Sequence, residues 1–108
     1  ILVSAGFDAH FRDPMGGMRV DAEGFAAMTR SVMALAREVC SGRLVLILEG
    51  GYDLEALRES VSAVLIQLSD SDIPVSTDNM EIPVSGTFQK IWKRFCAVHG
   101  LFWKCFAA

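Results

Sequence analysis

Residues 43–53 read Arg-Leu-Val-Leu-Ile-Leu-Glu-Gly-Gly-Tyr-Asp. Leu44 to Leu48 is an apolar run of strand length, and Gly50-Gly51 ends it. A run without polar alternation suits a parallel strand covered on both faces. Upstream, Phe25, Met28, Val32, Leu35, Ala36 and Val39 recur at helical spacing between Asp21, an N-cap residue type, and the stop signal Ser41-Gly42. Before that helix lies a second apolar run, Ile1 to Ala5. Downstream, Asp53 caps a helix whose apolar positions are Leu54, Leu57, Val61, Val64, Leu65 and Leu68. The order is βαβα, with strands at 1–5 and 43–48. Two strands joined by a covered helix lie parallel with a right-handed crossover, and sites in such sheets open outside the carboxyl ends of the strands. Asp8 and Tyr52 each stand just past such an end.

The remaining chain divides around this core. Gly6 to Val20 has no apolar period and contains Asp13-Pro14 and Gly16-Gly17, which predicts a long loop of the kind that carries function. Residues 69–87 read as an acidic, polar linker. A terminal helix follows at 88–105, with Phe88, Ile91, Trp92, Phe95, Val98, Phe102 and Trp103 on one broad face and Gln89, Lys90, Lys93 and Arg94 opposite. Gly100 weakens its last turn.

Composition excludes several classes. Of 108 residues, 52% are hydrophobic and 21% charged, too apolar a balance for intrinsic disorder. A net charge of -3 gives no general attraction to nucleic acid or an anionic membrane surface, and no apolar run approaches the roughly 20 residues of a spanning helix. Three cysteines without a C-x-x-C pair indicate neither a disulfide framework nor a thiolate zinc site, so a reducing, cytoplasmic setting is expected. The chain opens on Ile1 within a strand, which predicts a piece of a longer protein.

Three features carry candidate chemistry. Asp8 follows a buried strand, where backbone holds the carboxylate in place for metal ligation or base catalysis; the other use of an Asp here is to cap a turn. His10, two residues on, reads as a partly exposed loop histidine, with a two-ligand metal edge as the sharper alternative. In Glu49-Gly50-Gly51-Tyr52 the glycines admit positive φ and close approach of a substrate, and the phenol can donate to a carbonyl oxygen that is gaining charge; the plain alternative is a tyrosine packed on the sheet edge. A phosphate cradle at the start of the Asp53 helix is disfavoured, because neither G-x-G-x-x-G nor a P-loop ending is present and Glu49 and Asp53 would repel the anion.

Together, Ser4-Ala5-Gly6-Phe7-Asp8-Ala9-His10, Asp13-Pro14-Met15-Gly16-Gly17 and Leu48-Glu49-Gly50-Gly51-Tyr52 resemble the carboxyl-terminal part of the zinc-dependent histone deacetylase family. The likeness is greatest to its class II-like bacterial members and the acetylpolyamine amidohydrolases. It runs in order from Ile1 to about Leu68, and the tail from Val98 to Lys104 is similar, less specifically, to a bacterial terminal helix. The resemblance implies an α/β fold of the arginase/deacetylase type with zinc at the carboxyl edge of a parallel sheet. It implies that Asp8 is a zinc ligand, that Tyr52 donates to the scissile carbonyl, that Gly50 and Gly51 form the wall beside the acyl group, and that Pro14 and Met15 border the acyl-lysine channel. His10 matches no ligand of the family.

The implied activity is hydrolysis of N-acetyl amides, with acetylated lysine or acetylpolyamine as substrate. Met15, apolar where some polyamine-selective relatives place a glutamate, leans toward acyl-lysine. The family's other zinc ligands and its paired histidines precede the matched motifs, so the 108 residues alone are expected neither to hold zinc tightly nor to deacetylate. The missing amino-terminal part of the same domain is the implied partner. A non-catalytic remnant or interaction module docking by its aromatic helix is the alternative from another class, with a nucleotide-binding α/β module behind it.

Overall fold

The computed structural model describes residues 1–69 and 85–103. Two compact units make up the chain, residues 1–76 and 77–108. In the first, β1 (Leu2–Ala5), α1 (Ala22–Cys40), β2 (Val45–Leu48) and α2 (Leu54–Ser69) follow one another, the βαβα order read from the sequence. The strands pair in parallel with Leu2 opposite Val45 and Ala5 opposite Leu48. Flanking bonds from Val45 N–H to the Ile1 carbonyl and from Glu49 N–H to the Ala5 carbonyl continue the ladder at both ends.

The caps are those the sequence signals. Asp21 Oδ1 accepts from Gly24 N–H at 2.8 Å, and Asp53 Oδ1 accepts from Ala56 N–H at 2.8 Å, each satisfying a donor that the first helical turn leaves without an intrahelical partner. At the far end of α1, Ser41 takes left-handed φ (56°) and Gly42 N–H returns to the Ala36 carbonyl.

Packing departs from the sequence reading. The strands are covered on one face only. Parallel partners share a face, so Val3 and Ala5 lie with Leu46 toward the core, whereas Leu2, Ser4, Val45 and Ile47 form the opposite, exposed face. The core consists of Phe7, Phe25 and Val64, with Ala5, Leu46, Leu57 and Val61 packed around it; the Phe7 and Phe25 rings stand 4.9 Å apart. Beside it, Val3, Leu46, Met28, Val32 and Val64 help line an apolar recess of about 250 Å³, to which none of the candidate site residues contributes.

The helices also present narrower faces than their apolar stripes suggest. In α1 the buried positions are Phe25, Ala26, Thr29 and Ala36, and in α2 they are Ala56, Ser60 and Val64. Small residues predominate because these two helices pack against each other, bridged at the surface by Arg30 to Gln67 (3.2 Å). Thr29 meets its burial cost by donating to the Phe25 carbonyl at 2.9 Å. Met28, Leu35 and Val39 of α1 and Leu54, Leu65 and Leu68 of α2, read from the sequence as core, are exposed.

In the second unit, α3 spans Gly86–His99, so it starts before and ends earlier than the 88–105 read from the sequence. Ser85 caps it by accepting from Phe88 N–H, and Gly100 sits at its end. Residues 104–105 of the expected helix and 70–84 of the expected linker lie outside the described residues, while Ser69, Gly86 and Thr87 are helical. Phe88, Trp92 and Phe95 stack successively along α3 and His99 is tilted against Phe95, with centroid separations of 4.2 to 6.2 Å. Among the described residues no helix is long and apolar enough to cross a membrane.

A bare parallel face carrying Leu2, Val45 and Ile47 predicts association. The isolated 108-residue chain should sediment as concentration-dependent oligomers, and Val45→Lys with Ile47→Lys should shift it toward monomer. A wild-type chain that sediments as a monomer across the concentration range would contradict this.

Candidate functional site at the carboxyl edge of the sheet

Because β1 and β2 run in parallel and in register, their following turns emerge side by side. Phe7 N–H donates to the Gly50 carbonyl at 2.8 Å, joining the two turns directly beyond the strands. Asp8 is thereby laid against the glycine turn. A Cβ on Gly50 would stand 3.0 Å from Asp8 Cγ and 3.1 Å from its Oδ2, and a Cβ on Gly6 would stand 3.0 Å from its Oδ1. The carboxylate occupies a slot that exists because two neighbouring positions lack side chains. Gly51 completes the turn at φ +139°, with Phe7 and Leu57 beside its Cα. Tyr52 follows, its side chain largely exposed.

The loop from Gly6 to Val20 is more ordered than its lack of apolar period suggests. Val20 N–H donates to the Ala9 carbonyl and Phe11 N–H to the Val20 carbonyl, a parallel bridge that closes the loop on itself. Gly16 rests on the backbone of Asp8: a Cβ there would lie 1.7 Å from the Asp8 carbonyl oxygen, an impossible contact. Pro14 and Met15 are exposed on the same loop, Met15 at 73%. Arg12 reaches Asp53 at 3.3 Å, a partly exposed pair of modest value that links the loop to the start of α2.

His10 is not the partly exposed loop histidine of the sequence reading. It is 1% exposed, its Nδ1 accepts from Arg12 N–H at 3.2 Å, and its ring stacks on Phe11. An acceptor Nδ1 places the proton of the neutral ring on Nε2. The ring's burial and its bond from Arg12 N–H belong to the folded loop, which a dipeptide spacing does not report.

Asp13 is the residue whose part the sequence reading left undescribed. It is 8% exposed, and its carboxylate gathers backbone donors from two segments. Oδ1 accepts from Met15 N–H at 2.8 Å and Gly16 N–H at 3.3 Å; Oδ2 accepts from Tyr52 N–H at 2.7 Å. Burial pushes the carboxyl pKa up, but the N–H groups of Tyr52, Met15, Gly16 and Asp53 outweigh it and hold Asp13 below the usual carboxylate value. The local half of this arrangement, an Asx turn over Asp13-Pro14-Met15, has a sequence signature. Its bond to Tyr52 spans 39 positions and has none.

Zinc is the metal that the resemblance implies at this edge. A catalytic zinc takes three protein ligands. Asp8, whose carboxylate lies against Gly6 and Gly50, offers one acidic donor of the kind such a site uses, but among the described residues no three His, Cys, Asp or Glu side chains converge. The described residues therefore do not by themselves complete such a site.

A parallel α/β sheet that delivers a fixed carboxylate and a tyrosine to its carboxyl edge defines a class of protein whose chemistry sits outside the strand ends. The comparisons narrow the class: the histone deacetylase domain profile matches residues 1–68, and the chain belongs to that family. It is 34% identical over 98% of its length to a probable deacetylase of Archaeoglobus fulgidus, of which it covers 33%. It is 46% identical over 67% of its length to type-2 histone deacetylase 1 of Dictyostelium discoideum, covering 5% of that protein. A solved structure described as the HDA15 HD domain superposes with a TM-score of 0.71 at 29% identity, over 98% of this chain and 26% of that one. The chain thus spans about a third or less of each of these relatives.

Two outcomes follow from the slot and the clamp. Gly50→Ala should displace the Asp8 carboxylate, and Gly16→Ala should be the more destabilising because it meets backbone, as thermal melts would register. The depressed pKa of Asp13 stabilises the fold above the ordinary carboxylate range, and that contribution is lost as pH falls through the folded-state value. Denaturation midpoints below about pH 4 should therefore drop more steeply for wild type than for Asp13→Asn.

Proposed function

We propose that these residues form the carboxyl-terminal part of the catalytic domain of a zinc-dependent hydrolase acting on N-acetyl amides of lysine or of polyamines. The observation that carries this reading is the Asp8 carboxylate wedged between Gly6 and Gly50, two residues before Tyr52 on the same turn. Family membership supplies the deacetylase chemistry in outline. The remaining zinc donors lie outside the described residues.

Each residue has a physical task. Asp8 contributes negative charge and a fixed direction of approach to the metal, and its turn contacts keep it from swinging away. When bound, zinc supplies Lewis acidity and an activated water. Tyr52 donates its phenolic proton in a hydrogen bond to the acyl oxygen as that oxygen gains charge, an interaction that strengthens toward the transition state. Gly50 and Gly51 let the acyl group approach bare backbone. Pro14 and Met15 offer apolar contact to the methylene chain of the substrate.

The exposed aromatic column of α3 favours a second reading, a non-catalytic module that binds through that helix. One assay separates the two. In the complete polypeptide carrying this segment, acetyl-lysine peptide and acetylpolyamine should be hydrolysed, Tyr52→Phe should lower kcat by about 10² to 10³, and Asp8→Ala should lose zinc by metal analysis. The 108 residues alone should release no acetate. Full activity of Tyr52→Phe, or zinc-dependent turnover by the isolated chain, would overturn the assignment.

A further inference from the structure

We infer that Asp13 is a positioning residue for Tyr52: its carboxylate joins the loop bearing Pro14 and Met15 to the turn bearing the phenol. This rests on the functional reading above and assigns a role to a side chain outside the metal and oxyanion set.

The geometry is specific. Tyr52 precedes α2, so its N–H has no acceptor within the helix. Asp13 Oδ2 provides that acceptor at 2.7 Å. The other oxygen is committed to Met15 and Gly16 at 2.8 and 3.3 Å. The two oxygens of one rigid, planar group therefore hold two segments 39 positions apart, and the group is nearly buried, where hydrogen bonds to a charged acceptor are strong. The Tyr52 side chain itself is largely exposed. Packing does not fix its origin, which leaves the backbone anchor to do so. Rotation of the Tyr52 peptide would move the phenol by ångströms, and displacements near 1 Å in a catalytic group cost rates on the order of 10².

Asparagine is the informative substitution because it keeps the shape and retains one acceptor oxygen, so it can serve one segment and not both. In the complete enzyme, Asp13→Asn should lower kcat about 10-fold to 10²-fold and change KM by less than about 3-fold. In a Tyr52→Phe background, where the phenol is already lost, the same substitution should lower kcat by less than about 3-fold. That non-additivity distinguishes positioning from general destabilisation. An unchanged kcat in Asp13→Asn, or an equal loss in both backgrounds, would overturn the inference.

Inactivity of the wild-type enzyme toward acetyl amides would instead reject the functional reading, and the clamp has its own test. In the wild-type chain the Tyr52 amide should exchange with deuterium at least about 100-fold slower than an unstructured amide, despite its exposed side chain. An unprotected Tyr52 amide would overturn the inference even if Asp13→Asn failed to fold.

Discussion

The pairing of Ala5 with Leu48 is the constraint on which the site depends. Because both strands end at the same level, the turns after them have to lie side by side, and the Phe7 to Gly50 hydrogen bond is the direct consequence. A slip of one residue would reverse the sheet face presented by every side chain of one strand and separate Asp8 from the glycines that accommodate it. The core fixes that register by requiring Val3, Ala5 and Leu46 on the face that meets α1 and α2. Thus a hydrophobic preference of a few side chains sets the position of a carboxylate beyond the strand end.

Polar accounting then shapes the loop. A connection of this length beside a sheet edge brings many backbone N–H groups near partly buried surroundings, where each unpaired donor costs about 1–3 kcal/mol. Asp13 answers several of these at once, His10 answers Arg12, and the bridge between residues 9 and 20 answers others. The loop is held at its ends by Phe7, Ala9 and Val20 packed on the core and between them by hydrogen bonds converging on two nearly buried side chains. Among the buried side-chain polar atoms of the described residues, Ser60 Oγ in α2 is without a partner.

Much of this was legible in the sequence. The element order, the caps at Asp21 and Asp53, the stop at Ser41-Gly42 and the family motifs around Asp8, Asp13-Pro14 and Gly50-Gly51-Tyr52 are local signals, and local rules read them correctly. Which part of an apolar stripe is buried is another matter. Met28, Leu35 and Val39 have core-like spacing, but α1 buries Phe25, Ala26, Thr29 and Ala36 instead, three of the four small enough to permit close contact. The strands read as fully buried because composition records an affinity for neighbours and cannot say on which face this stretch of chain supplies them. The roles of Asp13 and His10 escaped because they arise from loop closure and from a partner 39 positions away.

The seating of Gly16 on the Asp8 carbonyl has an evolutionary consequence. The exposed Pro14-Met15 segment and Asp8 share one backbone path, so lengthening or shortening the loop between them would drag the carboxylate out of register. Change in this loop is therefore confined to side-chain exchange at outward positions such as Met15, where new chemistry can be tried without disturbing the scaffold beneath it.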